Sequence, residues 1–217
     1  GLPESVCFER YADALARVDV DCVIICAPTV FHVPYVELAI ERGLPVLVEK
    51  GMSPDYPGAV RVVRKAREKN AKVCVAQNYR YNAMERTLGL ALADRNHPAH
   101  PGEVHLVCYT QQRVRPLPRT LTYPFASIWD MSCHHFDNLL FWFGPIQHVT
   151  GFAWGASWSA YEHPNNTAGH FELENGARCH YIHTHDGARS GLEVQIHGER
   201  GALWFKLSLR ARQIALI

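Results

Sequence analysis

The sequence lacks the features of several protein classes. It has no run of about 18 apolar residues, which a membrane-spanning helix requires. Its 22 lysines and arginines against 21 aspartates and glutamates give a formal net charge of +1, without the basic excess of a nucleic-acid-binding protein. With 47% hydrophobic residues it is too apolar for a disordered chain. Its 217 residues suffice for one large globular domain or two unequal ones.

Paired cysteines are also lacking. The seven cysteines are an odd number without C-x-x-C spacing, and most of them lie within apolar runs. This pattern predicts reduced thiols and a cytoplasmic location rather than a disulfide framework.

Familiar catalytic and cofactor motifs are missing as well. The chain has no G-x-S-x-G, no H-E-x-x-H, no Cys/His ligand spacing, no Walker loop and no G-x-G-x-x-G. On one predicted strand His183 and His185 share a face and His180 points away, so a metal-dependent hydrolase or isomerase is a minority hypothesis. We predict no metal site, and these residues alone establish no cofactor.

The front of the chain alternates strand and helix patterns. Short apolar runs predict strands buried on both faces at 22–26, 45–48 and 72–76. Helices are predicted at 9–17, at 34–42 with Gly43 as the C-terminal cap, and from an N-cap at Ser53 to residue 69. This order predicts an α/β unit with a parallel sheet.

The rest of the chain has a different pattern. Strands are predicted at 104–113, 146–154, 169–174, 177–185, 192–197 and 202–205, with hairpin turns at Asn175-Gly176 and 198–201. Strands that follow one another without helices predict a mainly antiparallel sheet, interrupted by one helix at 130–143. We therefore predict two domains, at 1–82 and 83–217, the second of α+β class.

The helix at 130–143 carries the strongest chemical pattern. Asp130, His134 and Asp137 are spaced i, i+4, i+7 and are predicted to share one face. A second stripe is apolar and predicts contact with a sheet: Cys133, Phe136, Leu140 and Phe143. A carboxylate beside an imidazole is typical of a proton-transfer histidine. The alternative is an aspartate that compensates the helix dipole and a histidine on a solvated face.

The second candidate is Glu49-Lys50, which directly follows the predicted strand 45–48. Ligands of open parallel sheets bind outside the carboxyl ends of the strands, and a lysine there can stabilise a developing alkoxide. A solvated loop pair is the alternative. Two further possibilities are equally weighted for Trp154, Trp158 and Tyr161, namely sugar stacking and sheet packing.

Four segments together carry a resemblance to a known family. They are DCVIICAPTVFH at 21–32, PVLVEKG at 45–51, QNYRYN at 77–82 and DMSCHHFD at 130–137. In this order they resemble the motifs D-x-V-x-I-x-T-P-N-x-x-H, h-V-l-x-E-K-P, N-x-R-[FY] and D-x-G-x-H-x-x-D of the glucose–fructose oxidoreductase / inositol dehydrogenase (Gfo/Idh/MocA) family. The resemblance extends over nearly the whole chain.

The resemblance implies a partial Rossmann domain followed by a domain whose large open sheet often forms a homo-oligomer interface. It implies hydride transfer between NAD or NADP and a sugar or cyclic polyol. By position, the catalytic residues would be Lys50, Asp130 and His134, and the substrate-binding residues Asp137, Arg80 and Tyr79. The cofactor would be bordered by Ala27, Pro28, Thr29, His32, Glu49 and Lys50.

The departures from the family pattern lead to an alternative. Gly51 replaces the usual proline, Thr29 the usual asparagine and Ser132 the usual glycine. The glycine-rich turn is absent and the chain begins without methionine, so we expect a truncated chain that binds NAD(P) weakly or not at all. The alternative hypothesis is a non-catalytic, sugar-binding or oligomerising member of the same family.

Overall fold

Two units make up the computed structural model, which describes residues 3–114, 123–208 and 212–216. The first unit is Gly1–Gln77 and the second is Asn78–Ile217. The sequence prediction had placed a domain boundary after residue 82, just past the short 3-10 turn Asn78–Tyr81 that opens the second unit.

The first unit is built on a three-stranded parallel sheet. The strands β1 (Val23–Ile25), β2 (Val46–Val48) and β3 (Val73–Val75) lie in that order. The helices are α1 (Tyr11–Arg17), α2 (His32–Glu41) and α3 (Tyr56–Glu68). Gly43 ends α2 with a φ of 70°, a left-handed conformation that glycine adopts at little cost. The predicted parallel α/β arrangement is confirmed.

The expectation that these strands are buried on both faces is wrong. Alternate side chains of β1 and β2 pack with α2 and α3 into one core, which includes Val23, Val46 and Val62. The opposite face is open in the described unit, with Ile24 at 65% and Leu47 at 38% exposure. The helices described here cover only one face of the sheet. A continuous apolar run therefore does not by itself show that a strand is buried on both faces.

Helix α3 begins two residues later than predicted. Asp55, rather than Ser53, is its N-cap, and the Asp55 carboxylate accepts a hydrogen bond of 2.6 Å from the backbone N–H of Gly58. The Ser53 hydroxyl instead accepts from the N–H of Asp55 at 3.2 Å. Both residues are good caps, so sequence preference alone could not choose between them.

The second unit contains a seven-stranded mixed sheet. Its strands are β4 (Val104–Val114), β5 (Ile146–Trp154), β6 (Asn166–Leu173), β7 (Arg178–Thr184), β8 (Asp186–Gly198), β9 (Gly201–Ser208) and β10 (Arg212–Leu216). They lie in the order β10-β9-β8-β4-β7-β6-β5. Only β4 and β7 pair in parallel, so the prediction of a mainly antiparallel sheet is confirmed.

Two helices pack on one face of this sheet, α4 (Ala83–Ala93) and α5 (Cys133–Phe143). Helix α4 was not predicted, and in the sequence Leu88, Leu90 and Leu92 alternate as they would in a strand. Its buried residues are instead spaced as on a helix, and Leu90 is 61% exposed. No helix in the described ranges is long and apolar enough to cross a membrane.

Candidate active site

In the first unit, the predicted cofactor residues lie at the carboxyl ends of β1 and β2. Ala27 and Pro28 lead from β1 into the 3-10 turn Thr29–Phe31. After β2, the exposed Glu49 carboxylate accepts a hydrogen bond of 3.1 Å from the backbone N–H of Lys50. The peptide bond between Lys50 and Gly51 is cis.

His32 joins these two loops. Its ring is 1% exposed, with Nδ1 2.7 Å from the carbonyl oxygen of Gly51 and Nε2 2.7 Å from that of Ala27. A neutral imidazole has one N–H donor and an imidazolium has two. Both partners are acceptors, so a neutral ring donates to one of the two carbonyls and only an imidazolium donates to both, which links the loop after β1 to the loop that carries Lys50. His32, which was predicted to border a cofactor, is thus a buried residue that connects the two loops in this structure.

The edge of this sheet fits one end of a nicotinamide nucleotide. Gln77 follows β3, and its Oε1 is buried without a hydrogen-bond partner among the described residues. A ligand hydroxyl or amide can donate to such an oxygen. Thr29, which follows β1 closely in the sequence, adds a hydroxyl group. The glycine-rich motif that binds a pyrophosphate is not among the residues of this chain.

In the second unit, the predicted proton-transfer histidine is buried and stacked. His134 is 3% exposed, and its ring lies parallel to that of Tyr79, with centroids 4.1 Å apart and 6° between the planes. This excludes the alternative of a solvated histidine. Tyr79 is in turn held by Arg113, whose Nη2 donates to the phenol oxygen at 3.1 Å.

Asp130 lies in a π-helical segment, Ile128–Ser132, that precedes α5. The predicted i, i+4 relation to His134 assumed a regular α-helix, and the wider π turn changes which side chains are neighbours. Such single turns are frequent at functional sites. The Asp130 side chain is half-buried.

Asp137 and Arg80 form an ion pair. Arg80 Nε and Nη2 donate to the two carboxylate oxygens of Asp137 at 2.8 and 2.5 Å, so the contact is bidentate. The side chains are 35% and 14% exposed, respectively. Asp137 therefore orients Arg80, and the structure brings together two of the three residues predicted to bind substrate.

The predicted apolar stripe of α5 is only partly right, since Phe136 and Phe143 pack against the core but Leu140 does not. Leu140 is 47% exposed, and the buried residues of the helix are His134, His135, Asn138, Leu139 and Trp142. Three polar side chains, His134, His135 and Asn138, take part of the buried face of the helix. Of the three aromatic residues weighed for sugar stacking, Trp158 is 72% and Trp154 42% exposed, the latter on the sheet beside Phe152.

A buried hydrogen-bond chain beneath the site was missed by sequence reasoning. The Tyr181 hydroxyl donates to Ser132 Oγ at 2.6 Å and lies 2.7 Å from His135 Nδ1, while Ser132 Oγ lies 2.9 Å from His183 Nδ1. All four residues are at most 1% exposed. The chain links α5 to β7, and only the strand register places these residues together.

The surroundings of this chain disfavour charge on His135. Burial is the main cause that lowers the pKa of His135 well below its usual value, and the nearby charges of His183, His134, Arg113 and His185 lower it further. Burial likewise raises the pKa of Tyr181. The chain therefore favours a neutral His135 and Tyr181 and supports the segment that carries His134, while His135 Nε2 is buried without a hydrogen-bond partner among the described residues.

Comparison with protein families decides the assignment. Residues 2–77 match the model described as oxidoreductase family, NAD-binding Rossmann fold, and residues 102–204 match the GFO/IDH/MocA C-terminal domain. The chain belongs to the Gfo/Idh/MocA family. The two models fall in the first and second structural units, and the resemblance seen in the sequence motifs is confirmed.

Two curated relatives show the extent of similarity. The inositol 2-dehydrogenase of Arthrobacter sp. (strain FB24) is 30% identical over 146 residues, which are 66% of this chain and 41% of that protein. The inositol 2-dehydrogenase of Corynebacterium glutamicum (strain R) is 43% identical over 61 residues, 28% of this chain and 18% of that protein. The chain thus spans less than half the length of either relative.

Solved structures confirm the fold. The WlbA dehydrogenase from Bordetella pertussis, in complex with NADH and UDP-GlcNAcA, matches with a TM-score of 0.83 at 18% identity, over 95% of this chain and 66% of that one. GenD2 from gentamicin A biosynthesis, in complex with NAD, matches with a TM-score of 0.78 at 22% identity, over 92% and 58%. The predicted fold class, a Rossmann-type parallel sheet followed by a mainly antiparallel α+β domain, is thereby confirmed.

Proposed function

We propose that this protein is an NAD(P)-dependent oxidoreductase that acts on a CH–OH group of a sugar or cyclic polyol. The observation that carries the proposal is the His134 imidazole, buried and held flat against Tyr79 in a member of an NAD-binding oxidoreductase family. The inositol 2-dehydrogenases among the relatives support the substrate class.

His134 acts as the proton acceptor when the alcohol is oxidised. Oxidation removes a hydride from carbon and a proton from the hydroxyl, and a positioned imidazole takes up that proton. Because Nδ1 of His134 is buried, Nε2 is the atom proposed to receive it. Stacking on Tyr79 fixes the plane of the ring, so the direction of proton transfer is set before substrate binds.

Two other residues are proposed to act on the reacting group. Lys50 donates a hydrogen bond to the substrate hydroxyl and stabilises the alkoxide charge that develops during oxidation. Asp130 is proposed to favour the protonated form of His134, as a nearby carboxylate does for an imidazole. Sequence position in the family motifs supports both roles.

Arg80 and Tyr79 are proposed to contact other hydroxyls of the substrate. The bidentate contact with Asp137 holds the planar guanidinium of Arg80 in a fixed orientation. Tyr79 lies between His134 and Arg113 and has an exposed fraction intermediate between core and surface. A polyol needs several such fixed polar groups, since its hydroxyls differ only in position.

Thr29, Glu49 and Gln77 are proposed to hold the nicotinamide end of the cofactor, with His32 fixing their loops. The cofactor supplies the hydride acceptor, which no side chain can provide. Whether NAD or NADP is used depends on contacts to the 2′ position of the ribose, for which these residues give no selector.

The test measures NAD(P)H formation at 340 nm by the product of the complete open reading frame that contains this chain. Myo-inositol and a panel of aldoses are the substrates, and NADH binding is followed separately by fluorescence. Reduction of NAD or NADP in the presence of at least one of these substrates supports the proposal. Cofactor binding without any turnover favours the non-catalytic alternative, and absence of NADH and NADPH binding refutes both the enzyme class and the proposed cofactor site.

We also propose that the open face of the seven-stranded sheet joins two copies of the chain. Exposed apolar side chains lie there, Phe152 at 68%, Ile182 at 47% and Trp154 at 42% exposure. Phe152→Lys should shift the mass measured by light scattering toward the monomer, and an unchanged mass would contradict this assembly.

The seven free cysteines support a reducing, cytoplasmic setting, which a thiol count of seven in the purified, denatured protein would test.

A further inference from the structure

Two histidines face each other on the open side of the seven-stranded sheet. His170 on β6 and His180 on β7 are register partners, and both are exposed. Their Nδ1 atoms are 3.4 Å apart, and their ring centroids are 4.5 Å apart with 70° between the planes. Neither residue belongs to the candidate active site, which lies on the helix-covered face of the same sheet.

The separation of the two nitrogens matches a specific coordination geometry. Zinc is bound tetrahedrally by imidazole at about 2.0–2.1 Å, which places two nitrogen ligands about 3.3–3.4 Å apart. An octahedral ion at the same bond length would bring adjacent ligands to about 2.9 Å. In the chain without metal the 3.4 Å contact is a hydrogen bond between the two rings, and the same separation suits two ligands of a tetrahedral ion such as zinc, which imidazole nitrogen binds well.

The sheet fixes the backbone of both histidines. Strand β6 is paired with β5 and β7, and β7 is paired with β6 and β4, so both residues lie on interior strands. Only side-chain rotations are needed to adjust the pair. A ligand pair held on rigid elements loses less freedom on binding than one on loops.

Neighbouring groups do not supply a third protein ligand. Glu172, two residues from His170 on the same face, is held by Arg178 at 2.5 Å. The hydrogen bond from Arg178 is the main cause that lowers the pKa of Glu172. In the described part of the chain, no three His, Cys, Asp or Glu side chains converge in a way that could hold a metal ion. Any metal at this pair would have two protein ligands and two further positions.

We propose that His170 and His180 bind one zinc ion through their Nδ1 atoms, with a tetrahedral site completed by water in the monomer or by a donor of the second copy where the open face of the sheet joins two copies. The site is separate from the proposed dehydrogenase chemistry and does not depend on it. This zinc site amends the sequence prediction that the chain has no metal site. Of the three histidines considered in that prediction, His180, His183 and His185, only His180 takes part.

The test is calorimetric titration of the metal-free chain with zinc chloride. The wild type should bind one zinc at this site, and His170→Gln and His180→Gln should each weaken that binding by at least about tenfold. His105→Gln is the matched control, because His105 is an exposed histidine of the same unit on β4. It should change the affinity less than about twofold. Equal affinity in all four proteins, or no saturable binding, would overturn the proposal.

A second measurement is independent of the variants and of their folding. X-ray absorption at the zinc edge of the wild type at one equivalent of metal should show nitrogen or oxygen neighbours near 2.0 Å with the scattering pattern of two imidazoles. The chain also has exposed thiols, Cys7, Cys22, Cys26 and Cys74. A sulfur shell near 2.3 Å would show that cysteine ligates the metal, whether one of these four or Cys108 beside His180, and would refute a site of two imidazoles without sulfur.

Discussion

The Tyr181 hydroxyl is expected to be a large source of stability in the second unit. Tyr181→Phe keeps the ring among its aromatic neighbours and removes a hydroxyl that contacts Ser132 at 2.6 Å and His135 at 2.7 Å. Ser132 keeps its contact with His183, but His135 Nδ1 is left buried without a partner. An unsatisfied buried group costs about 1–3 kcal/mol, so we expect a loss of about 1–3 kcal/mol in the free energy of unfolding.

Tryptophan fluorescence during urea unfolding is a suitable assay. All five tryptophans, Trp129, Trp142, Trp154, Trp158 and Trp204, lie in the second unit, so the signal reports on that unit alone. Tyr81→Phe is the matched control, because Tyr81 is 72% exposed and its change should be within about 0.5 kcal/mol. A Tyr181→Phe protein as stable as this control would show that the chain does not support the fold as described.

Three further predictions concern other buried groups. His32→Ala leaves the carbonyls of Ala27 and Gly51 without the ring nitrogens, which should destabilise the first unit by about 2–4 kcal/mol; unchanged hydrogen-exchange protection of its backbone amides would contradict this. The folded pKa of His135 lies below the unfolded value of about 6.5, so the unfolded state binds the proton first as pH falls. The free energy of unfolding should therefore fall by about 1 kcal/mol as the pH is lowered from 7.5 to 5.5, on account of this group. His135→Gln should remove that part of the slope in urea unfolding, and an identical slope would argue against a neutral buried ring. Burial raises the pKa of Cys179 to about 12, so iodoacetamide at pH 8 should leave it unmodified in the native protein by mass spectrometry. The exposed cysteines should react, namely Cys7, Cys22, Cys26 and Cys74.

The sequence predicted the elements that periodicity and caps define. The three parallel strands, the Asn175-Gly176 hairpin and strand β5 were found where apolar runs and turn residues placed them. Helix α4 was missed, the α5 stripe was only partly right because Leu140 is exposed, and the π turn before α5 was not predicted. Local sequence carries no signal for such a turn, since the turn depends on the packing of the helix against the sheet.

The candidate site was predictable only in part. His134, Arg80 and Tyr79 were identified from motif positions, and the structure adds how they are held. Arg113 and Ser132 were missed, because their partners lie 34 and 51 residues away in sequence, at Tyr79 and His183. Contacts of that separation follow from the strand register, which a single sequence does not specify residue by residue.

The central claim is that His134 transfers the proton in a nicotinamide-dependent oxidation. The most direct measurement compares kcat of His134→Asn with that of wild type, in the intact gene product and with its best polyol substrate, alongside the Kd of NADH. We predict a fall in kcat of about 10²–10⁴-fold with little change in NADH affinity, and no effect of His105→Asn at an exposed histidine of the same unit. A kcat for His134→Asn within about threefold of wild type would contradict the account.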